Sequence, residues 1–323
     1  MIRIGILGTA RIARAFFGSP LKNTTIAAVA SREQSRADAF GTEFNIPRRY
    51  GSYDRLLADP DIDAVYIPLP QHLHCMYTVK AAEAGKHVLV EKPAALTSSE
   101  IESMRDACEE HGVFFMEAFM YRFKRIIQRA KEIVQSRGIG DVNYIDFNWC
   151  INIRHLVRSQ FRLDRKLGGG SMYDLGVYGI DFIRFIMEAE PRVVGASIYR
   201  ESKDGVDMFS HVEYKAGGVT ALSTTSLITD ANYFAIGGTG GSLLARSALA
   251  GRAVENVLQI HSLGDDSLRE ERFPPENPYI TELEYFARCI ERKERPHPGA
   301  ENSLKNIRLV EEVFAKATER MPA

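Results

Sequence analysis

Gly8 opens the run Gly8-Thr9-Ala10-Arg11-Ile12-Ala13, which follows the first apolar stretch of the chain, Ile2 to Leu7. The spacing is that of a dinucleotide fingerprint, G-x-G-x-x-G, with alanine at its second and third glycine positions. Gly8 permits a tight turn, and small residues at 10 and 13 let a pyrophosphate and a helix approach the backbone. The helix expected after the loop offers N–H donors and a positive dipole end. Taken alone, the same residues also suit the packing of an ordinary strand-to-helix turn. The second strand ends at Ser31-Arg32, where an NAD site usually carries an acid for the ribose hydroxyls. Here Ser31 can donate to a 2′-phosphate and Arg32 can pair with it or stack on adenine, so NADP is the expected cofactor, with Glu33 leaving room for NAD. The competing reading makes Ser31 a helix cap and Arg32 a solvated charge.

A second set of residues lies far along the chain. Gly168-Gly169-Gly170 allows backbone to come close to a ligand, and the helix predicted after it projects Asp174 and Tyr178 from one face, four residues apart. His72 and His74 form an alternating pair, but without a third ligand nearby they do not make a metal site, and none is expected. Gly237-Gly238-Thr239-Gly240-Gly241 imitates a phosphate loop, yet it sits between two strand candidates and reads as a hairpin turn.

These residues need a frame. From Ile2 to about Met120, short apolar runs alternate with amphipathic stretches such as Met76 to Ala84 and Thr97 to His111, the latter opened by a capping box at Thr97 and Glu100. That alternation predicts a doubly wound α/β domain. After Arg122 come one helix to about Ser136 and a run of alternating strands, Val142 to Ile153, Val193 to Tyr199, Met208 to Tyr214, Val219 to Leu227, Tyr233 to Ile236 and Val257 to Ser262. Two helices, Ile280 to Arg292 and Ser303 to Ala317, close the chain.

The 323 residues, 45% hydrophobic, are enough for two cores. With 41 basic and 42 acidic side chains, no global field draws the protein to nucleic acid or to an anionic membrane, so a small-molecule partner is expected. Cys75, Cys108, Cys150 and Cys289 form no CxxC pair, which fits a reduced, cytoplasmic protein. No apolar stretch approaches a membrane span, and no signal peptide is read at the start.

Glu91-Lys92-Pro93, after the run ending at Val90, resembles the EKP signature of the glucose-fructose oxidoreductase, inositol dehydrogenase and rhizopine-catabolism family (Gfo/Idh/MocA). Pro68-Leu69-Pro70-Gln71-His72-Leu73-His74, Met116 to Arg122, Gly168 to Tyr178 and Asn277-Pro278-Tyr279 agree in order, so the likeness runs almost end to end. The most similar branch is that of dimeric dihydrodiol dehydrogenases and sugar ketoreductases. The resemblance implies an NAD(P)-binding Rossmann domain over residues 1–120. Residues 121–323 would form an α+β substrate-binding and dimerisation domain with a large, mainly antiparallel, open-faced sheet, the C-terminal helix being a candidate to pack back on the first domain. It implies a homodimer or higher homo-oligomer through that sheet.

The implied activity is NADP(H)-dependent interconversion of a secondary alcohol and a ketone on a sugar, polyol or cyclic diol by direct hydride transfer. Lys92 would be the general acid/base, since an ammonium can stabilise and protonate an alkoxide and a neutral amine can take the proton back. Asp174 and Tyr178 would assist, and Arg162 would reach a polar substrate. Gly8, Thr9, Ala10, Arg11, Ile12, Ser31, Arg32, Pro68, Leu69, Gln71, His74, Glu91, Lys92 and Arg122 would meet the cofactor. Gln71 stands where the family often has Asn or Thr, and Tyr178 where many members have His. Glu117 and Arg122 match a family segment entering the second domain, and an interdomain salt bridge competes with the cofactor role of Arg122. The alternatives are a trans-dihydrodiol dehydrogenase and a non-catalytic NAD(P)-binding regulator. Such regulators often lose the lysine that is present here.

Overall fold

The computed structural model describes residues 1–154, 160–251 and 254–322. They fall into two compact units, residues 1–120 with 278–305, and residues 121–277 with 306–323.

The first unit is built on β1 (Ile2–Leu7), β2 (Thr24–Ala30), β3 (Arg48–Tyr50), β4 (Ala64–Ile67), β5 (His87–Glu91) and β6 (Phe115–Ala118). All pairs are parallel, in the order β3-β2-β1-β4-β5-β6. This is the doubly wound order, which places ligand loops at the carboxyl ends of the strands. The crossovers carry α1 (Gln34–Glu43), α2 (Tyr53–Leu57), α3 (His74–Glu83) and α4 (Ser98–Glu110). Ile4, Ile6, the whole of β4 and Val88 to Val90 are buried, because a strand covered on both faces needs an unbroken apolar run. A Cβ at Gly5 would lie 2.6 Å from Leu56, so α2 closes on β1 only because that position is glycine. Thr97 and Glu100 form the expected capping box at the start of α4.

Two local expectations change. The segment after the glycine loop is a six-residue 3-10 helix, Arg11–Phe16, not an α-helix. Gly18, at φ +104°, and Pro20 end it early, so its dipole is short while its free N–H groups remain. The edge strand β3 gave no apolar signal because it buries little. Arg48 and the Tyr50 hydroxyl hold it, both on Asp59 at 2.7 Å.

The second unit begins with α5 (Arg125–Gln135), β7 (Val142–Cys150) and α6 (Val177–Met187). Then follow β8 (Arg192–Arg200), β9 (Asp207–Ala216), β10 (Val219–Ser226), β11 (Ala231–Gly238), β12 (Gly241–Arg246), β13 (Asn256–Ser262) and β14 (Ser267–Phe273). Of the closing elements, α7 (Pro278–Arg292) packs in the first unit against β1 and β2. After it come α8 (Ala300–Lys316) and β15 (Ala317–Arg320). The nine-stranded sheet runs β14-β13-β12-β11-β7-β10-β9-β8-β15, antiparallel except where β10 meets β7 and β15 meets β8. Ile145, Phe147 and Trp149 point to the buried face, where Phe147 packs on Phe182 of α6 at 5.4 Å between ring centroids. The alternate residues Tyr144, Asp146, Asn148, His211 and Tyr233 remain partly exposed, so the other face is open.

Thr239-Gly240 is the two-residue turn joining β11 to β12, so the glycine cluster is a hairpin. Strand β14, Ser-Leu-Arg-Glu-Glu-Arg-Phe, has no buried residue, which is why periodicity did not mark it. Among the described residues no helix is long and apolar enough to cross a membrane.

Candidate active site

At the carboxyl ends of β1 and β2, Gly8 adopts φ +113°, and its N–H donates to Ala30 O at 2.8 Å. A Cβ there would sit 3.1 Å from Leu69 Cδ2, so the turn needs glycine for conformation and for space. Thr9, Ala10 and Ile12 are half-buried around it, and Arg11 is exposed. Ser31 is buried, its N–H on Tyr50 O at 2.9 Å, and Arg32 is exposed. Glu33, not Ser31, occupies the cap of α1 and pairs with Arg36 at 3.2 Å. Ser31 is therefore not spent on capping, and no carboxylate stands directly after β2.

The next two strands end in a second group. Lys92 is half-buried just past β5 and joined to Pro93 by a cis peptide. Three neighbours fix this turn. The Tyr66 hydroxyl of β4 donates to Glu91 Oε1 at 2.6 Å, the Ala94 N–H donates to Glu117 Oε1 of β6 at 2.9 Å, and His74 Nδ1 lies 2.9 Å from Pro93 O. Burial and the Glu91 charge push the Tyr66 phenol well up, so it stays a donor. Pro68 and Leu69 are buried in the loop after β4. Gln71, 7% exposed, holds its Oε1 buried with no partner among the described residues. An orphaned buried acceptor is unfavourable until a donor arrives, which suits a ligand amide.

His74 was expected to meet the cofactor. Its ring instead is fully buried between two backbone carbonyls, Pro93 O and Leu69 O, the latter at 2.7 Å from Nε2. Its polar atoms therefore face the protein, and burial pulls its pKa down to about 4. Among the described residues no three His, Cys, Asp or Glu side chains gather as a metal site.

In the second unit, Gly168 and Gly170 have φ +83° and +118°. The run was expected to admit a ligand, but what it admits is protein. A Cβ on Gly169 would lie 2.5 Å from Arg162 O, and one on Gly170 would lie 2.1 Å from Asp207 Oδ1. This packing brings Arg162 to Asp174 at 2.6 Å. Asp174 belongs to a π-helical turn, Met172–Gly176, in which the Val177 N–H returns to Met172 O, five residues back. Such insertions recur at functional sites. Asp207 accepts from the Met172 N–H at 2.7 Å and from Ser171 Oγ at 2.8 Å, pinning the turn's start. Tyr178, one turn on, lies against Trp149 at 4.4 Å and Tyr121 at 5.7 Å between ring centroids.

Arg122 was also expected at the cofactor. The structure buries it in the second unit, with Nε and Nη2 on the two oxygens of Asp181 at 2.7 and 2.6 Å and the guanidinium 4.7 Å from the Phe185 ring. Burial alone would raise the Asp181 carboxyl, but Arg122, Tyr121 and Asn306 bring it down to about 2. This is an ion pair of the core, and removing one partner of such a pair costs about 3–5 kcal/mol. Sequence reasoning missed Tyr66, Asp207 and Trp149. The only signals were a polar-tipped residue in the apolar run of β4 and the chain's single tryptophan.

A cavity of about 600 Å³ lined by Phe16, Phe17, Thr24, Ile26 and Phe44 lies at the amino ends of β1 and β2. It opens at the ends of these strands opposite to the Gly8 and Lys92 turns.

A Rossmann sheet with a glycine turn after its first strand and a fixed lysine turn after its fifth, in one chain with a large mixed sheet, defines a dinucleotide-dependent oxidoreductase. Residues 2–119 match the oxidoreductase family with an NAD-binding Rossmann fold, and residues 127–244 match the GFO/IDH/MocA C-terminal domain. The chain is 35% identical to D-xylose 1-dehydrogenase (NADP(+)) 2 of Haloferax volcanii over 97% of this chain and 96% of that protein. It is 31% identical to trans-1,2-dihydrobenzene-1,2-diol dehydrogenase of Xenopus tropicalis over 69% and 67% of the two chains. The crystal structure of KijD10, a 3-ketoreductase from Actinomadura kijaniata in complex with NADP and TDP-benzene, superposes with a TM-score of 0.90 at 28% identity, covering 100% of this chain and 99% of that one. The protein belongs to the Gfo/Idh/MocA family of oxidoreductases.

Proposed function

We propose that this enzyme interconverts a secondary alcohol and a ketone on a sugar, polyol or cyclic diol with NADP(H), using Lys92 as general acid/base. The observation that carries the reading is the Lys92 turn, held from β4, α3 and β6 at the carboxyl edge where this fold binds cofactors. The residues present fit a nicotinamide dinucleotide. Gly8 gives the loop after β1 its tight turn at φ +113°, Ser31 and Arg32 suit a 2′-phosphate, and Gln71 Oε1 lacks, among the described residues, the donor that a carboxamide would bring. When bound, that group supplies or takes up the hydride.

The protein's own part is proton handling and orientation. In reduction, the Lys92 ammonium donates to the oxygen that gains negative charge; in oxidation, the neutral amine accepts the hydroxyl proton. Asp174, paired with Arg162, offers a carboxylate to substrate hydroxyls, and Tyr178 offers a phenol beside the Trp149 face. That aromatic wall also supports a cyclic dihydrodiol as substrate, which one assay comparing trans-dihydrodiols with keto-sugars and polyols decides.

The partly exposed face of the second sheet is a surface for a second copy of the chain, and we assign a homodimer, to be read from solution mass. The four cysteines are free thiols, in keeping with the cytoplasm.

Lys92→Ala should lower kcat at least about a hundredfold while NADP binding survives. Near-normal turnover in that variant would remove Lys92 from the chemistry. Tight NADP binding with no turnover across the panel would instead favour a regulator.

A further inference from the structure

His74 stands at the first position of α3, fully buried, and its two ring nitrogens face backbone carbonyls from two different loops. Nε2 is 2.7 Å from Leu69 O in the loop after β4, and Nδ1 is 2.9 Å from Pro93 O in the turn after β5. Carbonyl oxygens only accept, so each contact is a hydrogen bond only when that nitrogen carries a hydrogen. A neutral imidazole carries one. Burial lowers the pKa of the ring to about 4, against the pull of both carbonyls, and so keeps it neutral.

The two loops have different duties. Leu69 Cδ2 lies 3.1 Å from where a Cβ of Gly8 would be, so its position fixes the wall of the glycine turn. Pro93 follows Lys92 directly, so the position of its carbonyl fixes the backbone that aims the amine. Neither duty requires the ring to touch substrate or cofactor.

We propose that His74 is a positioning residue whose neutral imidazole, with its single ring hydrogen, donates to one carbonyl or the other according to its tautomer, the Nδ1–H form aiming Lys92 and the Nε2–H form holding the Leu69 wall of the cofactor loop. This rests on the reading of Lys92 as general acid/base given above. It goes beyond that reading by dividing one buried side chain between two separable effects.

The test uses the two amides that each reproduce one edge of the ring. Asn places its N–H₂ near the Nδ1 position, and Gln places its N–H₂ near Nε2. In the full-length enzyme, His74→Asn should keep kcat within about threefold and weaken NADP binding about five- to tenfold by fluorescence titration. His74→Gln should keep NADP affinity within about threefold, lower kcat about tenfold or more, and move the apparent pKa of the kcat–pH profile. Equal losses in both variants, or none in either, would overturn the proposal, because a residue that only fills space cannot tell the two edges apart. Lys92→Ala is measured alongside. If it keeps turnover, the general acid/base reading fails by itself, while the split in NADP affinity still decides whether His74 is the tie.

Discussion

Glu282 on α7 is 1% exposed, and neither of its carboxylate oxygens has a hydrogen-bond partner among the described residues. Burial, and then the negative charge of Glu91, push its carboxyl well above the usual range. The folded protein therefore keeps a proton that the unfolded chain releases near pH 4.3. Because the folded state binds the extra proton, stability falls as pH rises above that point, until the buried group itself ionises. One proton sets a limiting slope of about 1.4 kcal/mol per pH unit. Glu282→Gln removes the slope but not the polar burial, so the comparison to make is between pH values rather than at one. The unfolding free energy of the variant relative to wild type, from chemical denaturation, should rise by about 1 kcal/mol per unit between pH 5 and 7. Parallel pH curves would mean that Glu282 is already ionised in the native protein.

The element that carries Asp174 and Tyr178 is set by what lies behind it rather than by its own sequence. Gly170, at φ +118°, lets the chain pass the Asp207 carboxylate, and that carboxylate receives the first N–H of the π turn. Gly170→Ala would put a methyl 2.1 Å from Asp207 Oδ1 in a backbone region that alanine avoids. The turn must shift and take Asp174 with it, and kcat/KM should fall about tenfold or more, since small displacements of positioning groups carry such losses. Gly195→Ala in β8, where an added methyl meets nothing within 4 Å, is the control and should leave activity unchanged. Loss in both would point to a general sensitivity to glycine replacement. The same contrast explains what the sequence made legible. Buried strands such as β4 and the capping box of α4 announce themselves, because apolar runs and capping residues act locally. The strands β3, β14 and β15 lie at sheet edges, where little is buried and no pattern is imposed. The glycine run was visible as a motif, but its purpose, the approach of Arg162 to Gly169 and of Asp207 to Gly170, depends on residues 7 and 37 positions away. His74, Glu117 and Tyr66 likewise converge on one turn from three elements, a fact that no spacing along the chain encodes.

For the molecule as a whole, 41 basic and 42 acidic side chains leave a net charge of −1. No long-range field therefore favours a cofactor with an extra phosphate, and any preference for NADP over NAD must arise within about a Debye length, roughly 8–10 Å, of the end of β2. Only local residues can supply it. Arg32 is exposed there, Ser31 lies beside it, and Glu33, the nearest acid, is turned to Arg36. A ligand that binds only the folded state adds RT ln(1 + [L]/Kd), about 2.7 kcal/mol at a hundred times Kd, and so raises Tm by about 5–10 °C for a unit of this size. NAD at the same concentration should give a clearly smaller rise. Arg32→Ala should bring the NADP shift most of the way down to the NAD value and change the NAD shift much less, because the charge pair with the 2′-phosphate is lost from NADP alone. Raising the salt concentration should narrow the wild-type gap, though less than for fully solvated charges, since Ser31 is buried and adds a hydrogen bond that salt does not screen. Equal shifts with both cofactors in the wild type would show that the missing acid after β2 does not govern selection.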